Sequence, residues 1–173
     1  MRNWATRAVG ELAHRRDEIN ALNVFPVPDS DTGSNMAHTM EAAVAELDNG
    51  GDVADSLALG AVRGARGNSG MVLSQVLRGV AESTVDSVID GDVFARSLQQ
   101  AVELVDRAIA EPVEGTVITV LKAAAEAADD AEAQSGATLH SIVSAAIAAA
   151  EKALERTPSQ LPALREAGVV DAG

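Results

Sequence analysis

Seven stretches of this chain carry apolar residues at helical spacing, and none shows the period-two alternation of a half-buried strand. That pattern dictates an all-α fold. The first stretch runs through Trp4, Ala8, Leu12 and Ile19, with Glu11, Arg15, Arg16, Asp17 and Glu18 between them, and is expected to end near Asn20. The second carries Met36, Met40, Val44 and Leu47 and stops at Asn49-Gly50-Gly51. Asp52 can cap a third, with Val53, Leu57 and Ala61 on one face. A fourth follows Gly70 with Val72, Leu73, Val76, Leu77 and Val80. The fifth, after Asp90-Gly91-Asp92, holds Phe94, Leu98, Ala101, Val102, Val105 and Ile109. A sixth is expected from Thr116 to the neighbourhood of Ala128, with Asp129 to Gly136 as a polar loop. The seventh carries Leu139, Ile142, Val143, Ala146, Ile147, Ala150 and Leu154. Thr157-Pro158 then reads as an N-cap followed by the first residue of a short helical turn.

The 173 residues suffice for one domain, residues 1–173, with a real core. Aromatic residues make up 2% of the chain, so that core must be built from Ala, Val, Leu and Ile, and small side chains let helices approach closely. A net charge of −13 argues against nucleic-acid or anionic-membrane partners, and it means that any bound phosphate needs a metal ion. Without cysteine there is neither a disulfide nor a thiolate site. No apolar run approaches the ~18 residues of a membrane span, and Met1-Arg2-Asn3-Trp4 lacks the apolar core of a signal peptide, so a cytoplasmic location is expected. His14, His38 and His140 stand apart from any triad or metal-ligand partner.

Short connections between successive helices make neighbours antiparallel, which puts the first, third, fifth and seventh connections at one end of the bundle. Every unusual loop of the chain falls on that end. The first is Asn23-Val24-Phe25-Pro26-Val27-Pro28-Asp29-Ser30-Asp31, running into Thr32-Gly33-Ser34-Asn35. Asp29 and Asp31, with Asn23 and the hydroxyls of Thr32 and Ser34, form a dense set of hard oxygen ligands suited to Mg²⁺ or Ca²⁺. An EF-hand is excluded, because its sixth and twelfth positions would be Ser34 and Met40 rather than Gly and Glu. The helix start beyond offers unpaired N–H groups to phosphate. In the third connection, Gly64, Gly67 and Gly70 let backbone approach a ligand or make a plain turn, with Asn68 and Ser69 as contacts. Arg63 and Arg66 there pair with phosphate or neutralise nearby acids. Thr116, at the end of Pro112-Val113-Glu114-Gly115, caps the sixth helix or touches a nucleotide. Metal plus phosphate at one end indicates a composite Mg–nucleotide site.

These motifs, together with Asn20-Ala21-Leu22-Asn23 and Val170-Asp171-Ala172-Gly173, closely resemble the N-terminal domain of bacterial fatty acid kinase, a relative of the ATP-binding L subunit of dihydroxyacetone kinase. The resemblance spans nearly the whole chain. It implies an up-down barrel of eight antiparallel helices, about seven of them readable here, so the chain is expected to end before the last one. It implies ATP or ADP with two Mg²⁺ held by Asp29 and Asp31 as the catalytic carboxylates, and Asn23 near the place of a third ligand. Thr32, Gly33, Ser34, Asn35, Asn68, Ser69, Thr116, Asp171, Ala172 and Gly173 are the implied nucleotide contacts. Ser30 stands where Gly is usual, which disfavours positive φ. The implied activity is kinase transfer of the γ-phosphoryl group to a fatty acid carboxylate presented by a separate fatty-acid-binding protein. Rivals are a glycerone (dihydroxyacetone) kinase subunit, a metal-dependent phosphatase and a non-catalytic nucleotide-binding module. Apolar surface left by an absent helix would favour pairing with a second copy, a homodimer.

Overall fold

A computed structural model describes all 173 residues. It is all-α: α1 (Arg2–Leu22), α2 (Thr32–Glu46), α3 (Val53–Gly64), α4 (Gly67–Ser83), α5 (Gly91–Ala108), α6 (Val117–Glu132), α7 (Leu139–Gln160) and α8 (Pro162–Ala167). One turn of 3₁₀ helix, Leu47–Asn49, ends α2. The only β pairing is an isolated bridge between Val85 and Val88 in the α4–α5 turn. Each helix from α1 to α7 packs on the next, and α2 also meets α4, and α5 meets α7. The helices are therefore laid out in chain order, up and down. No helix is long and apolar enough to cross a membrane.

Three apolar clusters stabilise this arrangement. Ala5, Met40, Ala43, Leu47, Leu57, Ala61 and Leu77 join α1 to α4. Ala95, Ala128, Ile142 and Ala146 join α5 to α7. Val72, Val105 and Ile118 join α4, α5 and α6. A fully buried Leu57 or Met40 contributes about 1.5–3 kcal/mol, but the small residues decide the spacing of the helices. A Cβ on Gly60 would lie 2.5 Å from the Ala42 carbonyl oxygen, and one on Gly79 would lie 2.7 Å from the Ala101 nitrogen. Both crossings bring backbone onto backbone.

Several boundaries depart from the sequence expectation. α1 reaches Leu22, and Trp4, expected on its apolar face, is 54% exposed while Ala5 beside it is buried. α6 continues through Asp129–Glu132, because acidic residues on a solvent face cost a helix little. Thr157 is not a helix start. α7 runs through it and through Pro158 to Gln160, and Pro162 takes the first position of α8. The helix absorbs Pro158 because only one carbonyl, that of Leu154, loses its N–H partner, and the Thr157 hydroxyl replaces it with a 2.8 Å hydrogen bond.

Candidate nucleotide site

The first, third and fifth connections and the C-terminal segment meet around one cavity of about 410 Å³. Phe25 and Pro26 come from the first connection, Asn68, Ser69, Met71 and Val72 from the start of α4, and Ile109, Ala110, Glu111 and Val113 from the fifth connection. Thr116, Val117 and Ile118 from the start of α6, with Asp171 and Gly173, complete the wall. The parity expected from the sequence is thus seen as a single lined space. The wall is mostly apolar, with Asn68, Ser69, Thr116, Asp171 and Glu111 as its polar groups and no Lys, Arg or His. Such a space suits a flat, largely apolar ring with a few polar edges.

Asp29 and Asp31 lie on the same connection but outside the cavity wall. Asp29 is exposed and Asp31 half-buried, and none of the protein's ion pairs involves either. Asp31 is the N-cap residue of α2, yet its carboxylate does not turn back onto the helix. Asn20 performs that task from α1. Its Oδ1 accepts the Ser34 backbone N–H at 3.1 Å, the bond an N-cap aspartate would normally take, and its Nδ2 donates to Ser34 Oγ at 3.0 Å. Capping from outside leaves the Asp31 carboxylate free.

Asn23 is spent on the loop. It is buried, its Nδ2 donates to the carbonyls of Phe25 at 3.3 Å and Val27 at 3.2 Å, and its Oδ1 accepts the Asp31 N–H at 3.1 Å. These bonds make it the residue that shapes the acidic loop. Between the two acids Ser30 adopts φ +56°, so the positive φ that a serine disfavours is nonetheless imposed. That conformation costs a non-glycine residue about 1–2 kcal/mol and is held by the Asn23 bonds on either side.

In the glycine-rich connection, Gly64, Gly67 and Gly70 bring the backbone onto α2. A Cβ on them would overlap Ala42, Asn35 and Thr39 respectively, three residues along one face of α2. Thr39, fully buried, ties the same contact: its Oγ1 donates to the Asn35 carbonyl at 2.7 Å and accepts the Arg66 N–H at 3.3 Å. Ser69 Oγ reaches the Thr32 carbonyl at 3.5 Å. The starts of α2 and α4 are therefore locked side by side. Arg63 pairs with Glu46 at 3.2 Å, so of its two expected roles it takes the neutralisation of an acid.

At the cavity end, the starts of α2 and α4 differ in capping from the start of α6. α3, α5, α6 and α7 carry side-chain caps from Asp52, Asp90, Thr116 and Thr138. α2 and α4 have none of their own. The two adjacent helix starts with N–H groups available to an outside anion are those beside the cavity. Thr116 is a genuine cap: its hydroxyl donates to the Val113 carbonyl at 2.8 Å and accepts the Ile118 N–H at 3.4 Å.

Residues 26–173 match the DAK2 domain family. The chain belongs to that family. Over 168 residues the chain is 41% identical to protein YloV of Bacillus subtilis (strain 168). It is 40% identical to uncharacterized proteins of Staphylococcus aureus strains USA300 and N315. Each alignment covers 94% of this chain and 30% of the relative, so the chain spans under a third of the curated relatives it matches. The family is that of DhaL-like nucleotide-binding modules associated with kinase subunits.

Of the nucleotide contacts named from sequence, Asn68, Ser69, Thr116, Asp171 and Gly173 line the cavity; Thr32, Gly33, Ser34, Asn35 and Ala172 do not. Gly33 is buried with its Cα facing the α1 backbone, and Asn35 sits against Gly67. No group of three or more His, Cys, Asp or Glu residues is arranged to hold a metal. Sequence reading missed Asn20 and Thr39 as supports and the apolar wall of Phe25, Met71, Ile109 and Val113. The Asn20–Ser34 pairing had no local signal, since the two residues are joined only by the α1–α2 crossing.

Asp171 is the buried acid of the cavity, and burial raises its carboxyl above the ordinary range despite hydrogen bonds from the Gly173 and Val117 N–H groups. A raised native pKa means that the ionised form is disfavoured by folding, a penalty present above the native pKa and absent below the unfolded value. Asp171→Asn keeps the shape and one acceptor oxygen and removes the charge. It is expected to raise the melting temperature of the ligand-free protein at pH 7, with the gain vanishing toward pH 4. Melting curves across that range check it; a variant less stable at pH 7 and equally so at pH 4 would contradict the assignment.

Proposed function

We propose that this DAK2 domain binds Mg–ATP with its phosphates at the paired starts of α2 and α4 and its base in the apolar cavity. It would supply the γ-phosphoryl group to a fatty acid carboxylate presented by a fatty-acid-binding partner. The observation that carries this reading is the freedom of Asp31 beside that cavity, its capping duty taken over by Asn20. Mg²⁺ is held by few protein ligands and completes its shell with water and substrate phosphates, so Asp29 and Asp31 without a third acid fit it well. When bound, the metal neutralises charge on the phosphates. In this reading the chain's own groups do the positioning. The carboxylates fix the metal end, and the uncapped N–H groups of Thr32, Gly33, Asn68 and Ser69 orient phosphate oxygens. A carboxylate acceptor is already ionised near pH 7, so transfer to it requires no general base.

The fatty acid acceptor rests on the motif resemblance, with the acyl group presented by the partner. Calorimetry with ATP, with and without Mg²⁺, tests the nucleotide half. Binding at 100 times Kd should also stabilise the fold by about 2.7 kcal/mol, seen as a rise in melting temperature. Incubation with labelled ATP and a lipid-loaded partner tests the rest: Mg²⁺-dependent acyl phosphate formation is the expected result. ATP binding indifferent to Mg²⁺, or nucleotide turnover that never labels the lipid, would overturn it.

A further inference from the structure

The C-terminal segment is part of the cavity wall, yet no helix contains it. Gly168, at φ +69°, ends α8 and turns the chain back, and Asp171 then reaches the start of α6. The Val117 N–H holds its carboxylate, and a buried hydroxyl holds its backbone. Thr157 Oγ1 accepts the Asp171 N–H at 3.1 Å and is 0% exposed. The direction of that hydroxyl is set by its neighbour. Pro158 has no N–H to give the Leu154 carbonyl, so the Thr157 proton is committed to that carbonyl at 2.8 Å, and the oxygen lone pair is left facing Asp171. The proline inside α7 thus makes an oriented acceptor out of a threonine that would otherwise rotate.

We propose that Thr157 is a positioning residue of the nucleotide site, acting through Asp171: the Thr157-Pro158 pair anchors residues 171–173 so that the Asp171 carboxylate and Gly173 form one wall of the cavity. This rests on the reading that the cavity takes the nucleotide base. Asp171 also borders the first turn of α6, where Gly173 lies against Val117, so loss of the anchor moves the wall and the α6 entry together.

The test uses the whole chain, with Mg–ATP affinity by calorimetry and hydrogen exchange at the Asp171 amide as paired readouts. Thr157→Val keeps the shape and removes the hydroxyl; affinity is expected to fall about tenfold and Asp171 exchange to accelerate by a similar factor, the worth of one buried hydrogen bond. Thr157→Ser keeps the hydroxyl and should return both to within about twofold. Pro158→Ala covers the case in which Thr157→Val fails to fold. It restores the helical N–H, so it should stabilise α7 while releasing the Thr157 proton, and is expected to weaken nucleotide binding about threefold. A merely structural role predicts unchanged or tighter binding for that variant. Thr157→Val or Pro158→Ala binding Mg–ATP like the wild type overturns the positioning role and leaves the nucleotide reading intact. Wild-type protein that binds no nucleotide overturns both.

Discussion

Asp31→Asn is expected to weaken Mg–ATP binding about 100-fold, or ~2.8 kcal/mol, while leaving the ligand-free protein as stable as before. The size follows from charge. Two unit charges 4 Å apart interact by roughly 4 kcal/mol at an effective dielectric of about 20, and a divalent cation doubles that before desolvation is subtracted. The selectivity follows from the capping arrangement. An aspartate that capped α2 would cost about 1 kcal/mol of stability when altered, but here the Ser34 N–H is bonded to Asn20, and Asp31 carries no structural hydrogen bond through its side chain. Asn20→Ala is the complementary variant. It should destabilise the fold by about 1–2 kcal/mol by orphaning the Ser34 N–H, and it should weaken nucleotide binding only in proportion to the displaced helix start. Asp29→Asn is expected to act like Asp31→Asn with a smaller effect, since Asp29 is exposed and solvent screens it more. Calorimetry and thermal melts on the three variants check the pattern. Unchanged affinity in both aspartate variants would sink the metal assignment.

The contrast between these variants shows which parts of the molecule can be read from sequence. The caps at Asp52 and Thr116 were legible because each is made by the residue's own side chain within three positions. The gathering of the odd-numbered connections was legible too, since it needs only helix count and short loops. The work of Asn20, Thr39 and Thr157 was not. Each bonds across a crossing between elements, with partners fourteen or more residues away, and nothing local marks it. The same limit applies to Gly64, Gly67 and Gly70. Glycine at every third position signals close approach, but not of what, and the partner is the face of α2 at Asn35, Thr39 and Ala42. Pro158 misled for a related reason: a proline reads as a helix boundary until a neighbouring hydroxyl is seen to replace the missing bond.

The largest stability effect is expected at Gly33, the second residue of α2. A Cβ there would overlap the Arg16 carbonyl oxygen and lie 3.1 Å from the Arg16 carbonyl carbon, so the obstacle is backbone and no rotamer can relieve it. α1 and α2 would have to separate at the point where Asn20 reaches Ser34 and where the acidic loop begins. Overpacking of this kind costs typically 1–3 kcal/mol, and the weakened Asn20–Ser34 bonds add about 1 kcal/mol. Gly33→Ala is therefore expected to destabilise by about 3 kcal/mol and to weaken Mg–ATP binding with it. Gly10→Ala is the control. It lies inside α1 with no heavy atom near its would-be Cβ, and the same change should stabilise by about 0.5–1 kcal/mol through helix propensity alone. Denaturant titration of the two variants reads the difference directly, an expected gap of about 4 kcal/mol between two Gly→Ala changes on adjacent helices. If Gly33→Ala matched Gly10→Ala, the close α1–α2 crossing, and with it the external capping that frees Asp31, would be wrong.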